Sequence, residues 1–419
     1  CALPIWRRRR FRKPASSMPV GSLYLHVPFC AARCRYCDFA TSALRRDDTL
    51  VDAYAQSLTA LVGEAGATGL LAGANTLYVG GGTPTMLGAE GLARLKEACD
   101  DQVSTPFHEA SFEANPESLT DDVLAAARRS GFTRVSLGAQ SFDDRELRAL
   151  GRIHDARRAR ERVAAARAPG LDVSIDLMCG IPFQTRESWQ RSLDTAVGLG
   201  VDHVSCYPLM IEEGTPMERL CEEGELPWPE DDTEADFMQI AEATLNRAGL
   251  ARYEVASYAR PGRACRHNIT YWSGIEYLGL GTSAASMLGR GGYDVLLGAV
   301  PQLPRPLETS TRFRITVTSD ARAVADARCL ADLAFEVEQL TAREAAAEDL
   351  MLGMRMTQGV SLAQIERFRD VVPSGLLDRA VEEALGRGLA SEREGRLVPT
   401  EQGWLLGNEL YGLFWDLAS

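Results

Sequence analysis

Three cysteines near the start of the chain, Cys30, Cys34 and Cys37, have the spacing Cys-x3-Cys-x2-Cys. Three thiolates within eight residues can wrap one loop around an iron–sulfur cluster, and three ligands for four irons leave one iron open to another molecule. The alternatives are a structural zinc site completed by a distant His or Cys, or three unrelated thiols. The other cysteines are scattered, which favours a reducing compartment over a disulfide framework, and we expect a cytoplasmic protein.

A second set of polar or flexible residues follows predicted strands. In Gly80-Gly81-Gly82-Thr83, glycines let backbone amides approach a ligand, and Thr83 adds a hydroxyl. A carboxylate at Glu113 can accept hydrogen bonds from a ribose or an ammonium group. The glycines alone are also compatible with a tight turn.

Three more polar residues occupy similar positions. Gln140 ends the fourth predicted strand and Asp176 ends the fifth, while Arg152 lies on a loop beside a helix, where it can pair with a carboxylate. Each could instead be a helix cap or a solvated charge. Their recurrence at strand ends is what indicates a shared site.

The elements that position these residues alternate between strands and helices. The pattern predicts strands at Leu23–Val27, Thr76–Gly80, Ala110–Glu113, Arg134–Gly138, Asp172–Asp176 and Asp202–Cys206. It predicts intervening helices at Thr49–Glu64, Ala89–Asp100, Asp121–Ser130 and Ala156–Ala168. Such alternation gives βαβ units with a parallel sheet, doubly wound or curled towards a barrel, whose chemistry lies at the carboxyl ends of the strands.

The alternation of predicted strands and helices ends after about residue 250. Gly289–Pro306 is rich in Gly and Pro and is predicted to be a loop. Beyond it we expect helices Thr341–Met356, Ser361–Arg369 and Pro373–Arg387, a strand pair around Leu389–Val398 and a helix from Thr400. Three helices and a hairpin resemble a winged helix. This segment has no basic stripe, which favours a packing or partner-binding role over DNA binding.

Charge excludes some classes of protein. The net charge of −13 argues against a nucleic-acid partner, and no apolar run is long enough for a membrane span. Residues 7–13 carry six basic side chains and no acid. We interpret 1–17 as a disordered or non-native tail, with Met18 as the natural start.

The cysteine spacing resembles the signature of the radical S-adenosylmethionine (SAM) superfamily. The wider string Ser22-Leu-Tyr-Leu-His26-Val-Pro-Phe-Cys30 is similar to the branch that contains oxygen-independent coproporphyrinogen III oxidases and the heme chaperone HemW family. The resemblance implies a [4Fe-4S] cluster on the three cysteines, with SAM bound to its open iron. By the same resemblance, the cluster-bound SAM contacts Tyr24, Gly81 and Glu113, and a second SAM position contacts Gly82, Thr83, Gln140, Arg152 and Asp176.

A later motif separates the two relatives. Arg266-His267-Asn268-Ile-Thr-Tyr271-Trp272 resembles the His-Asn-x-x-Tyr-Trp string of the chaperone family, which implies heme as a ligand of His267. A neutral imidazole can ligate heme iron, and neighbouring aromatic rings can pack on a porphyrin. His267 and Asn268 could instead bond to backbone while the aromatic residues fill the core.

The oxidases continue the cysteine motif with a further Cys, where this chain has Phe39. Phe39 and the His267 motif both favour the chaperone branch. One departure is that Thr282-Ser-Ala-Ala-Ser286 stands where that family commonly has Gly-Ala-His, so a histidine expected near Ala285 is missing.

The sequence therefore predicts an α/β protein, with a partial (β/α)6 radical SAM barrel at 18–250. A family-specific heme-binding elaboration follows at 251–335, and a winged-helix-like α+β domain at 336–419. The predicted function is to bind the cluster, SAM and heme and to deliver heme to apoproteins such as respiratory enzymes, with reversible membrane contact left open. The alternative is oxidative decarboxylation of coproporphyrinogen propionates.

Overall fold

A parallel sheet forms the first half of the protein. The computed structural model describes residues 19–167 and 170–419; the predicted tail 1–17 and the start at Met18 lie outside them. Six strands lie side by side in chain order: β1 Ser22–Val27, β2 Thr76–Gly81, β3 Glu109–Ala114, β4 Arg134–Gln140, β5 Asp172–Cys179 and β6 His203–Pro208. Each begins within one residue of its predicted start.

Helices cover the connections between these strands. They are α1 Thr49–Ala67, α2 Gly88–Asp100, α3 Asp121–Arg129, α4 Asp144–Ala149, α5 Ala156–Ala166, α6 Arg186–Leu199, α7 Pro216–Glu222 and α8 Asp231–Arg247. The side chains alternate along the strands: in β1, Leu23, Leu25 and Val27 are fully buried, while Tyr24 is half-buried. Parallel strands covered by helices on connecting segments give the predicted α/β architecture.

The sheet continues beyond residue 250. Strands β7 Ala251–Arg252 and β8 Ser257–Ala259 extend it past β6. Beyond its other edge lie β9 Tyr277–Leu280, β10 Ala285–Gly289, β11 Ser310–Val317 and β12 Phe335–Thr341. The full order is β12-β11-β10-β9-β1-β2-β3-β4-β5-β6-β8-β7. Strand β9 pairs in parallel with β1, so the elaboration shares one sheet with the barrel strands. Its assignment as a separate heme-binding segment stays a prediction.

The prediction of a loop over Gly289–Pro306 is wrong for most of that segment. Residues Arg290–Ala299 form helix α10. Tyr293 stacks on Phe313 with ring centroids 3.9 Å apart, and Leu296 is buried. This packing outweighs the low helix propensity of the glycines. Two further helices complete the region, α9 Arg266–Trp272 and α11 Ala321–Asp326.

The C-terminal segment has its own hydrophobic core, drawn from residues 346–417. It contains α12 Ala342–Gly353, α13 Leu362–Phe368, α14 Ser374–Gly386, α15 Glu401–Leu405 and α16 Gly407–Trp415, with a small sheet of β13 Val360–Ser361, β14 Ala390–Arg393 and β15 Arg396–Pro399. Helices around a three-stranded sheet confirm the predicted α+β domain. Trp404 joins it to the segment between β7 and β8, since its indole nitrogen donates to the carbonyl of Val255 at 2.8 Å.

None of the helices in the described part of the chain is both long enough and apolar enough to cross a bilayer.

Candidate functional site

The cysteine loop, residues 30–37, leaves the carboxyl end of β1 and is fixed at both sides. Phe29–Cys30 pairs in parallel with Ser42–Ala43. The amide of Arg35 donates to the carbonyl of Leu150 at 3.0 Å, and the carbonyl of Arg35 accepts from the amide of Met217 at 2.9 Å. The loop is thereby held against the segments that follow β4 and β6.

Two of the three thiols accept hydrogen bonds from side chains. The hydroxyl of Thr83 donates to Cys30 Sγ at 3.4 Å, and Arg152 Nη1 donates to Cys34 Sγ at 3.2 Å. All three cysteines are half-buried. Burial raises the pKa of Cys30 and of Cys37, and the Thr83 hydrogen bond opposes this rise at Cys30.

One cavity of about 380 Å³ opens beside the cysteine loop and extends down the interior of the sheet. Nine predicted site residues line it: Cys30, Cys34, Cys37, Gly81, Gly82, Glu113, Gln140, Arg152 and Asp176. Three do not: Tyr24, Thr83 and His267. The residues that end neighbouring strands therefore meet, as the parallel order requires.

Glu113 binds the turn that follows β2. Its Oε1 accepts from the Tyr78 hydroxyl at 2.8 Å and its Oε2 from the Gly81 amide at 2.9 Å. Burial raises the pKa of Glu113 to about 7, so its charge changes near neutral pH. A carboxylate poised in this way can receive a cationic ligand group.

The turn itself requires glycine. Gly81 has a φ of +105°, and a Cβ there would lie 2.5 Å from the ring of His26. A Cβ on Gly82 would lie within 3 Å of backbone atoms of Phe29 and Val27. Only glycine lets the turn approach the cysteine loop this closely.

Asp176 and Gln140 face the cavity from the neighbouring strands. Ser136 donates to both carboxylate oxygens of Asp176, at 3.2 and 3.3 Å, and burial raises the pKa of Asp176 to about 6. Gln140 sits at a register shift between β4 and β5 with a φ of +63°. The bulge changes the direction of the Gln140 side chain at the cost of an unfavourable backbone conformation, and such bulges are common at functional sites.

Tyr24 contacts the site only indirectly. Its hydroxyl lies 3.1 Å from His26 Nδ1, and its ring stacks with Tyr78 at a centroid distance of 6.3 Å. Burial raises the pKa of Tyr24 well above the usual value. Its predicted contact with SAM stays a prediction.

His267 lies at the amino ends of the strands, away from the cysteine loop. Its ring is fully buried, with Nδ1 3.0 Å from the Thr76 hydroxyl and Nε2 2.8 Å from the Tyr271 hydroxyl. Burial lowers its pKa to about 3, so the imidazole is neutral at physiological pH. To ligate heme iron it would first have to release one of these partners. Its role as a heme ligand stays a prediction.

The chemistry of the donor set fits a [4Fe-4S] cluster. Thiolates are the usual cluster ligands, and charged or hydroxyl donors near the sulfurs stabilise them. Among the described residues, no three His, Cys, Asp or Glu side chains already converge as a metal site. The cysteines instead share one cavity wall, with Thr83 and Arg152 directed at two of the sulfurs.

Asn115 follows β3 and lines the cavity, although no sequence pattern singled it out. Its side chain contacts both Thr83 and Arg152. Asn115 lies two residues after Glu113 in the same strand-end segment, which was the only available signal. Phe39, where the oxidases have a cysteine, lines the cavity mouth and is 60% exposed.

Comparison with known proteins identifies the family of the chain. Residues 24–196 match the Radical SAM superfamily and residues 340–406 match the HemN C-terminal domain. The chain is 38% identical to the heme chaperone HemW of Mycobacterium tuberculosis, over 90% of this chain and 94% of that protein. It is 31% identical to the heme chaperone HemW of Bacillus subtilis, over 94% and 98%.

The fold is also found in a solved structure. Coproporphyrinogen III oxidase (HemN) from Escherichia coli, a radical SAM enzyme, superimposes with a TM-score of 0.74 at 24% identity, over 94% of this chain and 89% of that one. At this identity the match shows a shared fold. The identity and coverage of the curated relatives show more: the chain belongs to the heme chaperone HemW family of the radical SAM superfamily.

Proposed function

We propose that this protein is a heme chaperone of the cytoplasm, which binds a [4Fe-4S] cluster, SAM and heme and passes heme to recipient proteins. The observation that carries the proposal is the single cavity in which three cysteines meet the polar residues of four strand ends. The name of the curated relatives, heme chaperone HemW, supports the heme function.

In this proposal Cys30, Cys34 and Cys37 hold the cluster. When bound, it supplies an open iron for SAM and an electron for its cleavage. Glu113 would then hold the amino group of SAM, because an ionised carboxylate attracts an ammonium group. The glycine turn, which Glu113 binds through the Gly81 amide, lines the same part of the cavity.

The second predicted SAM position falls to Gly82, Thr83, Gln140, Arg152 and Asp176. Four of the five line the same cavity, and Thr83 is bonded to a residue that does. Arg152 is already engaged by Cys34 and Asn115, so it can offer a SAM carboxylate only part of its guanidinium group.

The proposed recipients of the heme are apoproteins such as respiratory enzymes. The C-terminal domain, with its separate core, is a candidate surface for a recipient protein. If a recipient lies in the membrane, this protein would also have to contact the membrane surface to deliver heme to it.

An anaerobic assay with the cluster-loaded full chain tests the proposal. We expect it to bind heme at about one per chain, and to transfer that heme to an apocytochrome, measured by the recipient's absorbance. Failure of transfer in the presence of bound heme and an intact cluster would contradict the chaperone function.

The alternative function is the decarboxylation of coproporphyrinogen III, and it is tested with the same protein. Incubation with coproporphyrinogen III and SAM should give no protoporphyrinogen, because Phe39 stands where the oxidases have a thiol. Phe39→Cys alone should not create the activity. Product at a rate within about tenfold of an oxidase under the same conditions would favour the alternative.

A further inference from the structure

Asn115 bridges the two side chains that reach the cluster cysteines. Its Nδ2 donates to the Thr83 hydroxyl oxygen at 2.8 Å, and its Oδ1 accepts from Arg152 Nη2 at 2.5 Å. Thr83 and Arg152 in turn donate to Cys30 and Cys34. One amide thus connects to two of the three thiols through one intermediate each.

The chemistry of the partners fixes the orientation of this amide. A guanidinium group can only donate hydrogen bonds, so the amide oxygen must face Arg152. The amide nitrogen therefore faces Thr83, whose oxygen accepts. Because Thr83 accepts from Asn115, its single proton is left for Cys30 Sγ, 3.4 Å away.

The same amide also orients the guanidinium group. Nη2 of Arg152 is bound by Asn115 Oδ1 and, at 3.0 Å, by the carbonyl of Gly138. Nη1 then points to Cys34 Sγ. A neutral donor is directed at one sulfur and a cationic donor at another.

We propose that Asn115 is a positioning residue that raises the reduction potential of the cluster by directing Thr83 and Arg152 at its cysteine sulfurs. Reduction adds negative charge to the cluster, and donors to the sulfurs stabilise that charge. The inference depends on the proposed cluster site but goes beyond it, since the family resemblance assigns no role to Asn115.

The test is a redox titration of the cluster-loaded full chain, followed by electron paramagnetic resonance. Thr83→Val removes the hydroxyl at nearly constant volume and should move the midpoint potential to a more negative value. We expect about a tenfold fall in the ratio of reduced to oxidised cluster at a fixed potential, which is ~59 mV for one electron. Thr83→Ser keeps the hydroxyl and should restore the potential.

Asn115→Asp tests whether Asn115 directs the Thr83 hydroxyl at Cys30, or whether Thr83 acts only by lying near the cluster. A carboxylate only accepts, so the substituted side chain would take the proton of Thr83 away from Cys30 while still binding Arg152. Thr83→Val should then produce little further change in this background. Equal shifts from Thr83→Val in both backgrounds, or no shift in the native one, would overturn the proposal.

Thr85→Val is the matched control. Thr85 is a buried threonine two residues away whose hydroxyl bonds Ser118 Oγ at 2.6 Å and no cysteine. The potential of this variant should equal that of the native chain; a shift as large as that of Thr83→Val would overturn the proposal.

A second measurement does not depend on Thr83→Val retaining its cluster. Electron–nuclear double resonance of the reduced cluster in H₂O and D₂O counts exchangeable protons near it. Asn115→Asp should lose one such proton, and an unchanged count would contradict the inference. A native chain that takes up no cluster would instead refute the proposed function itself, so the two failures are distinguishable.

Discussion

At the carboxyl ends of β1 and β2, three half-buried thiols face a cavity, and two of them, those of Cys30 and Cys34, accept hydrogen bonds from Thr83 and Arg152. At the amino end of β2, by contrast, the His267 imidazole is fully buried and bonded through both nitrogens. Both ends carry a motif typical of cofactor binding. The sulfurs of the cysteine loop have lone pairs that can still bind a ligand, and a cavity lies beside them. The His267 end has its polar groups paired inside the protein, as buried groups in a stable core are.

Tyr78 links these two ends. Its ring stacks on His267 at 5.1 Å between centroids, and its hydroxyl donates to Glu113, which lines the cavity beside the cysteine loop. The contrast teaches that a linear motif predicts which residues are present at a site, while the partners already bound to them decide whether they are free to take a ligand.

The largest contrast should appear on deleting thiols. Cys30→Ala, Cys34→Ala and Cys37→Ala should each abolish cluster binding, because in the proposed site each would supply one of three protein ligands. Cys265→Ser is the control from the His267 end; there the thiol bonds Glu109 Oε1 at 3.4 Å, so the iron should be retained. Iron and sulfide analysis after anaerobic reconstitution gives the answer. Full iron in all three alanine variants would remove the basis of the site.

The next effect concerns the stability of the other end. His267→Phe keeps the ring stack on Tyr78 but removes two buried hydrogen bonds, which should lower the free energy of unfolding by about 1–3 kcal/mol at pH 7. The contribution of His267 also depends on pH. Since the pKa is about 3 in the folded chain and ~6.5 when unfolded, protonation favours unfolding as the pH falls from 6.5 towards 3.

Denaturant titrations at pH 7 and pH 5 would measure both effects, with the penalty of His267→Phe smaller at pH 5. The same variant tests the heme-ligand prediction. A shifted Soret band with full cluster content would assign heme iron to His267. An unchanged spectrum would place the ligand elsewhere and leave the motif with a structural role.

A smaller effect is expected for Glu113, which accepts the hydrogen bond of Tyr78. The ionised carboxylate should favour the ammonium group of SAM, and burial raises its pKa to about 7. SAM affinity should therefore rise roughly tenfold between pH 6 and pH 8, as the carboxyl group loses its proton. Equilibrium dialysis with labelled SAM measures this. The Glu113→Gln variant should bind SAM weakly, and its SAM affinity should depend less on pH. Identical pH profiles of SAM affinity for the variant and the native chain would show that Glu113 does not contact SAM.

The smallest effect is expected for Tyr78→Phe. It keeps the ring between the two ends but removes one donor to Glu113, at a cost of about 1 kcal/mol. Because that hydrogen bond lowers the pKa of Glu113, its loss should move the midpoint of the SAM-affinity profile to higher pH. A midpoint at the native value would mean that Tyr78 does not couple the two regions.

Local patterns predicted the parallel half of the fold well. Its strands are buried and apolar, so their starts are visible in the sequence. Helix α10 could not be predicted, because it depends on the stacking of Tyr293 against β11, a partner that lies later in the chain. The bulge at Gln140 likewise depends on the register of β5.

Most of the residues that the sequence singled out line the cavity, but the sequence did not show the hydrogen bonds between them. Spacing identified the cysteines, and strand ends identified Glu113 and Asp176. The bridging role of Asn115 needs the positions of Thr83 and Arg152, which are 32 and 37 residues away along the chain. Nor could the sequence show that both nitrogens of His267 are occupied, because Thr76 is 191 residues distant.

The interior position of β1 has a consequence during synthesis on the ribosome. Strand β1 ends at Val27 and pairs with β2 on one side, but its other neighbour, β9, ends only at Leu280. At about 5–20 residues per second, the growing chain carries an unpaired edge of its central strand for on the order of 10–50 s. Such an edge is a template for aggregation. Newly made chains of this protein should therefore need the protection of folding chaperones until β9 has emerged.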